Sequence, residues 1–246
     1  MGHRGNAAHT PENTIESFRQ AVDIGVDALE LDVRLSADGH VVVIHDPILD
    51  RTTNHSGRVD RLTLAELQRA DAGARFTKDG GKSWPYRGKG IVVPTLDDVL
   101  ATFPSTPLLI EIKTAAASGA ARAAIERHDA THRCIVASFD ENAMQAFAGS
   151  GIAVGASRRD TAALLWRALL GLPPSRVSFD VMCMPPEYHG FPLPVGGYAS
   201  ILAPLGAPVH VWTIDDPREA ARLRASGVCG IISNDPAVIL AGRRSR

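Results

Sequence analysis

Four short clusters of reactive side chains stand out in the chain, three of them within the first 46 residues. They are His3-Arg4-Gly5, Glu30-Leu31-Asp32, His45-Asp46 and Glu111-Ile112-Lys113. Together they offer histidines for proton transfer, carboxylates for a metal ion and cations for an anionic group. This set of groups suits the hydrolysis of a phosphodiester with the help of one divalent cation. We expect each cluster to lie at the end of a strand.

The carboxylates point to the metal. Glu30 and Asp32 are two positions apart on a strand-like run, so they share one face at a spacing of roughly 6–7 Å. Two buried carboxylates this close resist ionisation unless a cation lies between them. Oxygen ligands favour a hard ion, Mg²⁺ or Ca²⁺, and Glu111 is a natural third ligand. The alternative is a structural carboxylate pair satisfied by arginine or backbone donors.

The remaining clustered groups fit the rest of the reaction. His3 and His45 are the candidate general acid and base, since imidazole exchanges protons near neutral pH. Arg4 and Lys113 are the candidate phosphate-binding cations. Asp46 either orients His45 or caps the turn that follows, and the Glu111–Lys113 pair could also be a buried ion pair. We assign His210, which lies in an apolar run, a structural role.

Two aromatic residues have two interpretations each. Trp212 lies at the end of a predicted strand, and Phe139 follows Ser138 after another strand. Each could line a substrate cleft, as residues at the carboxyl ends of barrel strands do, or each could be part of the core.

The composition is that of a globular protein. The chain has 246 residues, of which 45% are hydrophobic and 22% charged, and its net charge is −1. We expect one domain over residues 1–246, no nucleic-acid partner because basic residues are not clustered, and no integral membrane segment. No signal-peptide pattern is recognisable, and the three scattered cysteines favour a reducing, cytoplasmic location. We expect all three thiols to be buried.

Strand and helix signals alternate along the chain. Short apolar runs suited to a parallel sheet occur at Asp27 to Val33, Val41 to Ile44, Leu108 to Ile110, Cys134 to Ala137, Ile152 to Val154, Arg176 to Phe179, Val209 to Trp212 and Val228 to Ile232. Amphipathic stretches lie at Asn13 to Ile24, Leu96 to Ala101, Ala115 to Arg127, Glu141 to Ala148, Thr161 to Leu170 and Pro217 to Ala225. This alternation predicts an α/β fold, a (β/α)8 TIM barrel. A doubly wound open sheet is the alternative, but no Gly-rich phosphate loop follows the first strand.

Two regions depart from the alternation. Residues 47–94 form a long, polar, Gly-rich insertion after the second strand, and residues 182–208 are rich in Pro and Gly with one short helical stretch near Tyr198 to Leu202. Long excursions of this kind usually serve as lids or binding loops.

Eight motifs, in this order, closely resemble the signature of the glycerophosphodiester phosphodiesterase family. They are His3-Arg4-Gly5, Pro11-Glu12-Asn13-Thr14, Glu30-Leu31-Asp32-Val33, His45-Asp46, Pro94-Thr95-Leu96, Glu111-Ile112-Lys113, Ser138-Phe139-Asp140 and Val211-Trp212-Thr213. The resemblance spans nearly the whole chain. Residues 182–208 contain no motif that matches the family.

The resemblance implies a TIM barrel with an insertion after the second strand and hydrolysis of a small-molecule glycerophosphodiester to an alcohol and sn-glycerol 3-phosphate. It implies one divalent cation, Mg²⁺ or Ca²⁺. By position, its ligands would be Glu30, Asp32 and Glu111, the acid and base His3 and His45, and the phosphate-binding groups Arg4 and Lys113. The resemblance leaves the alcohol and the oligomeric state open.

Three other functions are compatible with the same barrel. One is a lysophospholipase D-type hydrolysis of a lipid phosphodiester, for which the apolar stretch from Leu164 to Leu170 and the Pro-rich segment 182–208 are hints. Sphingomyelinase D enzymes share a related arrangement, but the His-Arg-Gly and Pro-Glu-Asn-Thr motifs favour the first family. A non-catalytic binding barrel is disfavoured because each of the seven matched residues is present.

Overall fold

The structure is a computed structural model that describes residues 1–244. In chain order its strands are β1 (Gly2–His3), β2 (Leu29–Leu35), β3 (Val41–Val43), β4 (Leu108–Ile112), β5 (Cys134–Ala137), β6 (Ala153–Val154), β7 (Met182–Met184), β8 (Glu187–Tyr188), β9 (Phe191–Pro192), β10 (Val209–Val211) and β11 (Gly230–Ile231). Its α-helices are α1 (Ile15–Ile24), α2 (Leu64–Leu67), α3 (Leu96–Thr102), α4 (Ser118–Arg127), α5 (Glu141–Met144), α6 (Arg158–Leu170), α7 (Val195–Leu202), α8 (Pro217–Ala225) and α9 (Pro236–Arg244).

Parallel strands close into a ring with the helices outside. One run of neighbours is β1-β2-β4-β5-β6 and the other is β7-β10-β11. Parallel bridges from Gly155 to Val181 and from Gly2 to Ser233 join the two runs at both seams. The ring therefore contains eight parallel strands, which is the topology of a (β/α)8 barrel.

Two predicted barrel strands are placed differently by the structure. The run from Val41 to Ile44 is not in the ring: β3 folds back and pairs antiparallel with β2, Val33 opposite Val43, after a turn in which Gly39 has a φ of 85°. The predicted strand from Arg176 to Phe179 is also wrong. Arg176 and Ser178 are exposed, and the buried strand begins at Met182.

The predicted helices are present with small shifts at their ends. Helix α1 begins where the Thr14 side chain accepts a hydrogen bond from the Ser17 backbone, and it ends at Gly25, whose φ is 91°. Helix α6 begins at a capping box between Ser157 and Asp160. The helix α9 was not predicted from the sequence.

Three apolar clusters hold these layers together. The first packs β2, β4 and β5 against α1, α3 and α4, and the second packs β7 and β10 against α6, α7 and α8. The third lies under residues 47–94, where Leu49, Val59 and Leu67 cover Val42 and Ile44. Residues 47–94 thus have a small core of their own, although α2 and one 3₁₀ turn are the helical elements described there.

Candidate active site

A cavity of about 220 Å³ opens at the carboxyl ends of the barrel strands. Its wall contains eight of the nine residues singled out in the sequence, namely His3, Arg4, Glu30, His45, Glu111, Lys113, Phe139 and Trp212. The ninth, Asp32, is buried beside them and contacts Arg4 and Lys113. The structure thus brings together side chains that are up to 209 positions apart in the sequence.

The alternation of β2 places the two carboxylates on the cavity side. Glu30 and Asp32 are both buried, while Leu31 between them points into the first apolar cluster. On the neighbouring strand β4, Glu111 lies opposite Asp32 in register. Oxygen atoms of the three carboxylates lie within 4.8 Å of one another, close enough to hold one metal ion.

Asp32 is well supplied with donors. Its Oδ1 is 2.8 Å from Lys113 Nζ, and its Oδ2 is 3.1 Å from Arg4 Nε. Its Oδ2 also accepts a hydrogen bond of 2.8 Å from the Asn13 side-chain amide. Burial by itself would raise the Asp32 pKa, but Lys113 and Arg4 outweigh it, so the pKa lies below its usual value.

Glu30 has a different environment. It accepts a hydrogen bond of 2.9 Å from the Arg4 backbone amide, and His3 Nε2 is 3.8 Å from its Oε2. Burial, and then the neighbouring Asp32 carboxylate, raise the Glu30 pKa well above its ordinary value. A carboxylate that is this difficult to ionise gains most from a divalent cation. The three carboxylates therefore fit an oxygen-liganded ion such as Mg²⁺ or Ca²⁺.

Each histidine of the site is held through Nδ1, which leaves Nε2 for chemistry. His45 Nδ1 is 2.7 Å from Asp46 Oδ1, and since a carboxylate only accepts hydrogen bonds, Nδ1 carries the proton. His3 Nδ1 is 2.7 Å from the side-chain oxygen of Asn234. Burial and the Arg4 charge lower the His3 pKa, which favours the neutral imidazole.

The cations of the site are already engaged with carboxylates. Arg4 donates to Glu12 Oε1 at 2.8 Å, and Lys113 Nζ is 2.7 Å from Glu111 Oε1. Both nevertheless line the cavity, where an anionic group would reach them. The Lys113 and Glu111 pair predicted as an alternative is therefore present, and it faces the cavity.

The two aromatic residues form one wall of the cavity. The rings of Phe139 and Trp212 pack edge to face with centroids 6.0 Å apart, and Phe139 is 45% exposed. Arg158, the first residue of α6, lies over the Phe139 ring at 4.5 Å. Both aromatic residues thus lie at the cavity rather than in the apolar core.

Other residues contribute to the site without having been singled out. Asn13 orients Asp32, Asn234 holds His3, and Cys183 lines the cavity. Asn13 belongs to the Pro-Glu-Asn-Thr motif, so its place in that motif was the available signal. Nothing in the local sequence marked Asn234 or Cys183.

The histidine that was assigned a structural role, His210, lies outside this cavity. His210 lines a separate cavity of about 380 Å³ at the opposite end of the barrel, and burial lowers its pKa to about 4. Of the three cysteines, Cys134 is buried, Cys183 is partly buried and Cys229 is exposed. The expectation that all three are buried is therefore wrong for Cys229, which follows the end of α8 near the surface.

The apolar stretch that suggested a lipid substrate also lies outside the cavity. Within the stretch from Leu164 to Leu170, Trp166 is 72% exposed and Leu170 is 67% exposed on the outer side of α6. These side chains do not line the cavity among the residues that the structure describes. Across residues 1–244, none of the helices has the length and apolar character needed to cross a membrane.

The chain is similar to proteins of one family throughout its length. A relative from Caldanaerobacter subterraneus subsp. tengcongensis, a glycerophosphodiester phosphodiesterase, is 30% identical over 98% of this chain and 95% of its own length. A probable glycerophosphodiester phosphodiesterase from Mycobacterium tuberculosis is 31% identical over 95% of this chain and 86% of its own.

Solved structures show the same likeness. A phosphodiesterase from Oleispira antarctica, solved in complex with the product sn-glycerol-3-phosphate, superposes with a TM-score of 0.78 at 26% identity and covers 99% of this chain and 96% of its own. A glycerophosphoryl diester phosphodiesterase domain from Mycobacterium tuberculosis superposes with a TM-score of 0.85, covering 100% and 98%; its 22% identity supports the fold alone.

The family model described as the glycerophosphoryl diester phosphodiesterase family matches residues 3–146, which contain eight of the nine predicted site residues, all but Trp212. This match includes both histidines, all three carboxylates and both cations of the cavity. The chain belongs to the glycerophosphoryl diester phosphodiesterase family.

Proposed function

We propose that this protein hydrolyses a glycerophosphodiester to an alcohol and sn-glycerol 3-phosphate, with one divalent cation as cofactor. The observation that carries the proposal is the cavity itself. Three carboxylates with oxygens within 4.8 Å of one another lie beside two histidines and two cations at the carboxyl ends of the barrel strands.

The roles of the site residues follow from their environments. Glu30, Asp32 and Glu111 would hold the cation, either Mg²⁺ or Ca²⁺, which when bound supplies Lewis-acid stabilisation of charge on the phosphoryl oxygens. Arg4 and Lys113 bind the phosphate. Phe139 and Trp212 flank the substrate as an apolar wall.

Proton transfer falls to the two histidines. Hydrolysis requires that an attacking hydroxyl lose a proton and that the departing alkoxide gain one. His3 and His45 both line the cavity and are both held at Nδ1, so each has Nε2 available for one of these transfers. A glycerol hydroxyl as the first nucleophile, with a cyclic phosphate opened later by water, is compatible with this pair.

The alternatives gain no support from the described residues. A non-catalytic barrel would be expected to have lost an acid, a base or a ligand, and all seven are in place. An acyl-chain site for a lysophospholipid is not supported by α6, because its exposed apolar side chains face away from the cavity.

We also propose that residues 1–246 act as one phosphodiesterase domain with an insertion at approximately 47–94. The three cysteines are unpaired, which supports the proposed cytoplasmic location, since a reducing compartment keeps thiols free.

The test is release of glycerol 3-phosphate from glycerophosphocholine by the purified protein. We expect no release in EDTA and restored release with Mg²⁺ or Ca²⁺, and the more effective ion identifies the cofactor. The same assay on glycerophosphoethanolamine and glycerophosphoinositol ranks the alcohols. Failure on all three diesters with either ion would contradict the proposal.

A further inference from the structure

Arg51, in the segment from 47 to 94, forms salt bridges with two carboxylates at once. Its Nη1 and Nη2 donate to the two oxygens of Glu12 at 2.7 and 2.8 Å. Its Nε and Nη2 donate to the two oxygens of Asp46 at 2.6 and 3.2 Å. A guanidinium is planar and presents its donors as a fixed fork, so this double pairing sets the relative position of both carboxylates.

Each of these carboxylates in turn holds a residue of the active site. Asp46 Oδ1 accepts the hydrogen bond from His45 Nδ1, and Glu12 Oε1 accepts one from Arg4 Nη1. Arg51 is therefore one carboxylate away from a candidate acid or base and one carboxylate away from a candidate phosphate ligand. It joins the chain that follows β3 to the chain that follows β1.

The two carboxylates bound by Arg51 are poorly accessible to water, so water cannot readily substitute for the guanidinium. The side chains of Glu12 and Asp46 are only 19% and 22% exposed, whereas Arg51 itself is 47% exposed. Without the guanidinium the two negative groups would face each other with less water to screen them. The hydrogen bond from Arg51 is the largest influence that lowers the Asp46 pKa, to about 2, which keeps Asp46 ionised and able to accept from His45.

We infer that Arg51 is a positioning residue for catalysis. It fixes the His45 ring through Asp46, so that Nε2 faces the cavity, and it fixes the Arg4 guanidinium through Glu12. Arg51 touches neither residue directly and acts through the two carboxylates. The inference rests on the proposed role of His45 in proton transfer.

The experiment compares Arg51→Ala and Arg51→Lys with a matched control in the same segment. Arg58 pairs with Asp60 through two donors, at 2.9 and 2.6 Å, on the exposed surface, and within residues 1–244 its side chain has no hydrogen bond to a residue of the cavity. We expect Arg58→Ala to keep full activity. We expect Arg51→Ala to lose about 10- to 100-fold in kcat, because it loosens the Asp46 carboxylate that orients His45, with a smaller change in KM.

Three further readouts separate positioning from a merely structural role. Arg51→Ala should melt moderately below Arg58→Ala, because two mostly buried carboxylates lose their shared cation, but it should stay folded at the assay temperature. Added guanidinium ion at millimolar concentration should restore part of the lost kcat, and Arg51→Lys, which keeps the charge but not the fork, should be intermediate. The NMR resonance of the His45 Nδ1 proton should broaden or vanish in Arg51→Ala.

The outcomes also separate this inference from the proposed function. Normal kcat in Arg51→Ala, with His45→Ala inactive, overturns the inference and leaves the function intact. Normal kcat in His45→Ala overturns the proposed role of His45 first. If Arg51→Ala melts far below Arg58→Ala and guanidinium restores nothing, Arg51 is structural and the inference is wrong.

Discussion

The two carboxylates of β2 differ in how their charge is stabilised, although they lie two residues apart. Asp32 has Lys113, Arg4 and the Asn13 amide around it, while Glu30 has one backbone donor and the repulsion of Asp32. A cation at this site would therefore relieve an existing conflict at Glu30 more than at Asp32. We therefore expect replacement of each carboxylate by its uncharged amide to have different effects on metal affinity and stability.

Glu30→Gln tests this difference. Removal of one anionic ligand should weaken binding of Mg²⁺ or Ca²⁺ by about tenfold or more, measured by calorimetric titration. In EDTA the variant should melt no lower than the parent protein, because the substitution also removes a buried repulsion. Glu16→Gln, at a partly exposed position of α1 outside the cavity, is the control. Unchanged metal affinity in Glu30→Gln would rule out Glu30 as a ligand.

His45→Ala tests proton transfer. The side chain is 35% exposed and contributes little to the core, so the fold should survive. We expect kcat to fall by about 10²- to 10⁴-fold because one acid–base group is missing. His55→Ala, an exposed histidine outside the cavity, should have parental kinetics. An unfolded His45→Ala protein, or one with near-normal kcat, would refute the assignment.

At the scale of elements, the start of the chain depends on a close approach between the turn after β1 and α1. Gly5 has a φ of 91°, and a Cβ placed there would come within 2.6 Å of the Ser17 carbonyl carbon. The Ser17 hydroxyl also donates to the Arg4 carbonyl at 3.0 Å. This packing sets where His3 and Arg4 leave the strand.

Gly5→Ala and Gly25→Ala form a matched pair of tests. Both glycines have a φ of 91°, but a Cβ at Gly25 meets nothing within 4 Å. Gly25→Ala should cost about 1–2 kcal/mol for the left-handed backbone alone. Gly5→Ala should cost an additional 1–3 kcal/mol or so for the steric overlap, measured by urea unfolding, and should also lower activity. Equal losses in the two variants would show that α1 moves aside freely.

The sequence was informative for the elements with strong local signals and less so elsewhere. The i, i+2 spacing of Glu30 and Asp32 correctly predicted that they share one face, and the amphipathic stretch that ends at Ile24 correctly predicted the end of α1. The strand β7 was misplaced because Val177 and Phe179 alternate like a strand, whereas Met182 and Cys183 carry little β-propensity. Its position follows from pairing with β10, which is a long-range contact.

Residues that act through others were the hardest to predict from sequence. Asn234 and Arg51 reach the site across 231 and 39 positions, to His3 and Glu12 respectively. A single sequence contains no record of such distant pairs. The hairpin of β2 and β3 is local, and it was missed because the β-branched run from Val41 to Ile44 is typical of a buried barrel strand as well.

At the scale of the whole molecule, the three cysteines differ in how deeply they are buried. Burial raises the pKa of Cys134 to about 11 and that of Cys183 to about 12, so neither forms thiolate near neutral pH. Cys229 is exposed.

Thiol titration with Ellman's reagent at pH 8 tests these depths. Cys229 should react rapidly in the native protein, Cys183 in the cavity wall should react more slowly, and Cys134 should react only at the rate of global or sub-global unfolding. Cys229→Ser should abolish the rapid phase. A second rapid thiol would mean that the active-site cavity admits the reagent and that Cys183 is less protected than its burial indicates.

The alternation of β2 has a consequence for how the chain tolerates changes of length. Because Leu31 points into the core and its two neighbours point into the cavity, deleting or inserting one residue within Leu29–Leu35 would exchange the faces of the residues on one side of the change. A carboxylate on the shifted side would then enter the apolar layer. By contrast, Gly80 and Gly88 lie in exposed turns where an added side chain meets open space, so insertions there should be tolerated. Length variation in homologous or engineered chains is therefore expected to concentrate in the loop and to spare the strand.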